Sequence, residues 1–126
     1  MKELIIVGSG SFVGGMSRYY LSGIALHLYP SWRFPLGTFL VNLIGCLLIG
    51  LIAGAAEHYY VISNNYRLFL ITGLLGGFTT FSAFGYETIF LARNGNYELA
   101  VLNVILSVVL CLIAVWGGIR LVQAFS

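Results

Sequence analysis

The stretch from Thr72 to Glu87 reads TGLLGGFTTFSAFGYE, and it concentrates the residues of this chain best suited to handle a polar guest in apolar surroundings. Gly76 and Gly77 offer a weak point in a helix, and Thr79, Thr80 and Ser82 offer hydroxyls. Phe81 and Phe84, three apart, share one side at helical spacing. The residues around them are apolar enough to cross a bilayer. Non-helical backbone is tolerated at that depth only where it is buried in protein or lines a cavity. The segment therefore reads as built to bind or pass something, since a plain spanning helix would be leucine and valine throughout.

Other polar residues fall inside apolar runs, where a charge costs about 2.5 to 3.5 kcal/mol even on a lenient insertion scale. Arg18 either snorkels to a headgroup region or lines an aqueous vestibule that attracts an anion. Asn42 suits two roles: glue between helices, or a dehydrated amide donor to an anion. Glu87, the one carboxylate clearly within a span, should be paired, hydrated or protonated for part of its life. Asn103 and Ser107, four apart, share a face and can form two rungs of a polar track or one hydrogen-bonded helix contact. His27 and His58 lie near expected interfaces without metal-ligand spacing, and no nucleophile-base-orienter set is visible. Enzymatic chemistry is not expected.

The elements that must position these residues are membrane helices. A hydrophobic fraction of 60% with 8% charged residues falls far below the roughly 25% charge of an ordinary soluble domain, and the mean hydropathy is +0.97. Apolar spans of about 20 residues predict four transmembrane helices: Leu4 to Leu28, Leu36 to Ala56, Leu68 to Ala92, and Leu99 to Val122. The expected architecture is an all-α membrane protein, residues 1–126 forming one four-helix domain with the third helix broken at its centre. Turn and interface signals occupy the connections: Tyr29 to Arg33, Glu57 to Arg67, and Arg93 to Glu98. The first span, rich in tyrosine and carrying Arg18, is read as retained and not as a cleaved signal peptide.

Charge barely orients the chain. Lys2, Arg67 and Arg120 fall on one side of a four-span arrangement, and Arg33 and Arg93 on the other. The positive-inside rule needs a clearer asymmetry. Either the chain inserts in both orientations or the first span decides alone. Dual insertion would permit an antiparallel homodimer. Glycines support close helix contact, with Gly50 and Gly54 in a small-xxx-small arrangement. The run Gly8 to Gly14 after Leu4-Ile5-Ile6-Val7 mimics a dinucleotide-binding turn, but no ribose-binding acid or second strand follows. Cys46 and Cys111 lie inside spans and are read as packing residues.

Three motifs together carry a family resemblance: Gly14-Gly15-Met16-Ser17-Arg18-Tyr19, Gly37 to Gly45 (GTFLVNLIG), and Gly73 to Phe84 (GLLGGFTTFSAF). In order and spacing they closely resemble the Fluc (CrcB) fluoride channels, over essentially the whole chain. The resemblance implies a dual-topology antiparallel homodimer in the cell inner (plasma) membrane. Its two pores would export fluoride passively from the cytoplasm, with lipid bilayer, fluoride, sodium and a second copy as partners and no nucleic acid. It further implies that Phe81 and Phe84 line the pore with electropositive ring edges, that Asn42 donates from the second helix, and that Arg18 lines the vestibule. Thr38, Ser82, Glu87, Ser107 and Asn103 become candidates for the polar track or its supports. Backbone carbonyls of Gly76 and Thr79 would coordinate a structural sodium ion on the dimer axis.

The chain departs from the family pattern at Ala83 and Gly85, where relatives continue with a threonine and a serine, and at Asn103, where the fourth helix often carries a tyrosine. A hydroxyl rung is missing there, although the Asn103 amide can still donate. The rival reading is a small proton-coupled multidrug exporter, also four spans per chain and antiparallel. Its coupling acid normally lies in the first helix, which here holds Arg18 and no membrane-embedded carboxylate. A scaffolding subunit, the third reading, would not need Phe81, Phe84 and Asn42.

Overall fold

The computed structural model describes residues 1–59 and 62–125, and every regular element among them is helical. Helix α1 runs Lys2–Leu28 and α2 runs Leu36–Tyr59. The next span is assembled from pieces: a short α3 (Asn64–Arg67), a wide-wound π-helical segment (Leu68–Leu75), α4 (Gly76–Phe78), an extended pair Thr79-Thr80, and α5 (Phe81–Arg93). Helix α6 spans Tyr97–Ala124.

Three stretches, Leu36–Glu57, Asn64–Arg93 and Tyr97–Ala124, are long and apolar enough to cross a membrane. Helix α1 has the length, 27 residues, but its glycines, serines, tyrosines and Arg18 dilute its hydropathy below the other three. The third span begins earlier than expected. Asn64 to Arg67 reads as part of an interfacial connection, yet it forms the first helical turn, closed by the Arg67 N–H donating to the Ser63 carbonyl at 3.1 Å. Polar side chains cost nothing in a first turn that faces water. Tyr60 and Val61 of the expected connection lie outside the described residues.

The break, expected between Gly76 and Thr79, lies at the end of that stretch. Gly76 and Gly77 are helical, with Gly76 at φ −63°, ψ −37°, and the interruption falls on Thr79 (φ −84°, ψ 157°) and Thr80 (φ −151°, ψ 117°). A glycine pair weakens a helix, but Gly77 serves instead to let a neighbouring backbone approach. A Cβ at Gly77 would sit 2.6 Å from the Ser11 carbonyl oxygen of α1, and one on Gly14 would strike the Leu74 carbonyl. Small residues here let α1 lie directly on the broken span. Ser11 adds a long 3.4 Å hydrogen bond from its hydroxyl to the Gly73 carbonyl.

Helices α2 and α6 run parallel and pack closely. Gly50 lies against Val115, and Gly54 against Ile119, in one constant register. Helices α5 and α6 form an antiparallel pair through the Asn94-Gly95-Asn96 turn, where Gly95 takes φ +79° and the Asn96 N–H donates to the Leu91 carbonyl at 2.9 Å. Arg33 reaches that turn from the α1–α2 connection, donating to Asn96 Oδ1 at 3.3 Å. Few side chains are buried among the described residues; Val41 and Asn103, each 1% exposed, are the largest of those fully enclosed. The remaining surface is overwhelmingly apolar, as a bilayer-embedded chain requires.

These contacts separate two adjacent glycines in α1. Gly14→Val should lower the thermal midpoint of the detergent-purified protein by the equivalent of about 1 to 3 kcal/mol of overpacking. Gly15→Ala, with nothing within 4 Å of the new methyl, should leave it unchanged. Equal effects of the two in a melting assay would show that the α1 contact does not hold the fold.

Candidate functional site

Breaking a span at Thr79-Thr80 frees backbone groups at membrane depth, and the structure accounts for most of them. Asn42 of α2 meets Thr80 twice: its Oδ1 accepts from the Thr80 N–H at 2.8 Å, and its Nδ2 donates to the Thr80 carbonyl at 3.0 Å. The Thr80 hydroxyl accepts from the Ala83 N–H at 3.2 Å, capping α5, and shares a hydrogen with Ser82 at 3.2 Å. Thr79 folds back, its N–H and its hydroxyl both donating to the Leu75 carbonyl, at 2.9 and 2.8 Å. Gly45 of α2 leaves the space that the Thr79 methyl occupies.

Two carbonyls lose their helical donors by name. The Thr80 N–H that would serve Gly76 goes to Asn42, and the Ala83 N–H that would serve Thr79 goes to the Thr80 hydroxyl. Gly76 and Thr79 therefore present oxygens whose helical partners are engaged elsewhere, and both residues line one cavity. Neutral carbonyl oxygens of this kind suit a hard, weakly charged cation.

That cavity, about 430 Å³, collects several of the residues singled out in the sequence. Asn42, Thr79, Thr80, Phe81, Phe84 and Ser107 all line it. The Phe81 and Phe84 rings are 5.4 Å apart and inclined at 45°, so each can turn an edge toward a shared neighbour. Phe84 is partly covered, whereas Phe81 is 82% exposed and must meet something other than its own chain. Asn42 keeps a second N–H and a second lone pair beyond its two bonds to Thr80.

Two groups of polar residues support the cavity. Thr38, one turn before Asn42 on α2, donates its hydroxyl to Glu87 Oε1 at 2.7 Å, while Glu87 Oε2 is buried without a hydrogen-bond partner. On the other side, Ser107 donates to Asn103 Oδ1 at 3.3 Å and Asn103 Nδ2 donates to the Thr88 hydroxyl at 2.9 Å. Thr88 in turn donates to the Phe84 carbonyl at 2.7 Å. A continuous chain of bonds thus runs from α6 to the backbone that carries Phe84. Arg18 lies apart from the cavity on α1, its Nε buried without a partner.

Thr88 is not singled out in the sequence, and Thr80 is named there only as one of three hydroxyls, without its role as a cap. Both left a signal. Thr88 stands four residues after Phe84, on the same helical face, and Thr80 precedes the apolar run of α5 as capping residues do.

Comparison with known proteins adds a second line of evidence. The family model described as CrcB-like protein, Camphor Resistance (CrcB), matches residues 5–119. A Methylobacillus flagellatus protein named fluoride-specific ion channel FluC is 46% identical over 123 residues, covering 98% of this chain and 96% of its own. Proteins of the same name from Geobacter sulfurreducens and Methanococcus aeolicus are 44% and 42% identical, with 94% of this chain covered in each case and 95% and 93% of theirs.

The double bond from Asn42 to Thr80 has a measurable consequence. Asn42→Ala removes both bonds and strands two backbone groups, so it should destabilise the protein by about 1 to 3 kcal/mol or more. It should also raise amide hydrogen exchange at Thr80 above that of neighbouring α5 residues. Unchanged stability and exchange would show that Asn42 does not hold the break.

Proposed function

Because this chain belongs to the CrcB family, a family of ion channels and not of enzymes, we propose that it is a passive fluoride-selective channel. The observation that carries the reading is the cavity in which Phe81, Phe84, Asn42 and Ser107 converge beside a broken helix. Fluoride holds its hydration water tightly, and selectivity requires donors arranged beforehand to replace that water. The spare amide hydrogen of Asn42 and the ring edges of Phe81 and Phe84 supply donors of graded strength, the Ser107 hydroxyl being engaged with Asn103. The Ser107–Asn103–Thr88 bonds hold Phe84 in place. Thr38 and Glu87 extend the polar strip one turn further along α2 and α5, and Ser82 lies at its other end beside Thr80.

The same proposal includes the assembly. Phe81 needs a second surface, and the weak Lys/Arg bias permits insertion in both orientations. An antiparallel homodimer in the inner membrane, with α1 as the fourth span, would complete two pores and export fluoride down its gradient. Arg18 would then face a vestibule. A sodium ion bound by the Gly76 and Thr79 carbonyls of both copies would satisfy the oxygens freed at the break and hold the two spans together. As a structural ion it would not cross.

Efflux from liposomes containing only this protein tests the reading. Fluoride should leave rapidly without a proton gradient, and chloride should not. Strict dependence on a proton gradient would instead favour a coupled exporter. Phe81→Ile and Phe84→Ile should each slow fluoride efflux about tenfold or more, the rate equivalent of losing one favourable aromatic edge contact, while assembly on a sizing column is retained. Parent-like efflux in both variants would reduce the rings to packing.

A second measurement addresses the cation. Replacing sodium with a bulky organic cation, after time for exchange, should lower fluoride efflux and lower the melting temperature together. An efflux rate and a melting temperature both independent of sodium would remove the ion from the proposal and leave the channel reading intact.

A further inference from the structure

Two thiols share the cavity with the polar residues, and the fold places them with some care. Cys46 lies one turn after Asn42 on α2, and Cys111 one turn after Ser107 on α6. The close register that sets Gly50 on Val115 and Gly54 on Ile119 puts Cys46 opposite Cys111 one turn earlier. Both cysteines are free, partly covered and part of the cavity wall, at one level of the α2–α6 contact.

We propose that Cys46 and Cys111 form a two-thiolate site for a soft divalent cation of the mercury(II) type, and that its occupation closes the cavity. Thiolates select soft metals. No group of three or more His, Cys, Asp or Glu side chains occurs among the described residues, so a four-coordinate ion such as zinc would lack ligands. An ion content with two ligands in line suits a facing pair. Binding is a proton exchange without redox change: each thiol gives up one proton to water, two sulfur–metal bonds form, and the metal bis-thiolate is neutral. Neutrality matters at this depth, because a complex with net charge would carry the cost of a charge in hydrocarbon. The bridging ion would sit one turn from the Asn42 and Ser107 level, across the space through which an anion would pass. The binding half stands on geometry alone; the closing half rests on the channel reading above.

Mercuric chloride titrated into the detergent-solubilised protein is the probe. The expected result is one metal per chain, two protons released per metal, and simultaneous loss of both thiols to a colorimetric thiol reagent. Cys46→Ala and Cys111→Ala should each surrender the metal to about 100-fold less competing free cysteine, because the second thiol acts at high effective concentration. Two metals per chain with one proton each, or single variants that hold the metal as tightly as the parent, would overturn the site. The proton count on the parent decides this even if a variant fails to fold. In liposomes, the metal should stop fluoride efflux of the parent reversibly with a dithiol, and leave Cys46→Ala/Cys111→Ala at its own metal-free rate. Metal bound with efflux unchanged would overturn the closing half. A parent with no fluoride efflux before metal is added would sink the channel reading, while the titration still decides the site.

Discussion

The hydrogen bonds between one side-chain amide and one backbone unit, Asn42 with Thr80, are the constraint on which the rest of this site depends. A helix crossing a bilayer satisfies its own backbone, and an interruption exposes groups that water cannot reach. Asn42 supplies a donor and an acceptor at matching positions, so Thr80 can leave the helix with both its N–H and its carbonyl paired. The Thr80 hydroxyl then starts α5 afresh. Without this exchange the chain would have every reason to continue as helix through Thr79. With it, α5 begins at Phe81 and the two phenylalanines point into a shared space.

Close helix approach is the second requirement, because an asparagine side chain reaches only a short distance. Gly45 makes room for Thr79 on α2, while Gly14 and Gly77 bring α1 onto the broken span. The same economy of side chains seats α2 on α6 through Gly50 and Gly118. Packing in lipid has no water-exclusion drive behind it, so contact area between backbones must supply what a hydrophobic core supplies elsewhere. The structure meets that need with small residues on each contacting face.

Function follows from how polarity is distributed over these contacts. The strongest internal bonds are spent on holding backbone and side chains in place: Thr38 on Glu87, Asn103 on Thr88, Thr88 on Phe84. What stays uncommitted is modest, namely one amide hydrogen of Asn42 and ring edges beside it. That division is suited to an ion that must be held just well enough to be dehydrated and then released. Asn103 belongs to the same division: it is almost fully enclosed and acts through Ser107 and Thr88.

Composition and run length were sufficient to define a helical membrane chain, since few charges and long apolar runs leave no alternative solvent. The motifs around Arg18, Asn42 and Phe81 were sufficient to identify the family, because residue type and order survive without coordinates. The break was legible only to within a turn: the sequence places it between Gly76 and Thr79, and the structure puts it at the end of that stretch, on Thr79-Thr80. Glycine propensity points to Gly76-Gly77, but Gly77 is used for approach to α1, and the interruption falls at Thr79-Thr80, where Asn42 pairs with Thr80. The partnership of Thr88 with Asn103 and the opposition of Cys46 with Cys111 were hidden in the same way. Each depends on which residues of distant helices share one level, and that is decided by packing register between spans, a quantity that local spacing does not contain.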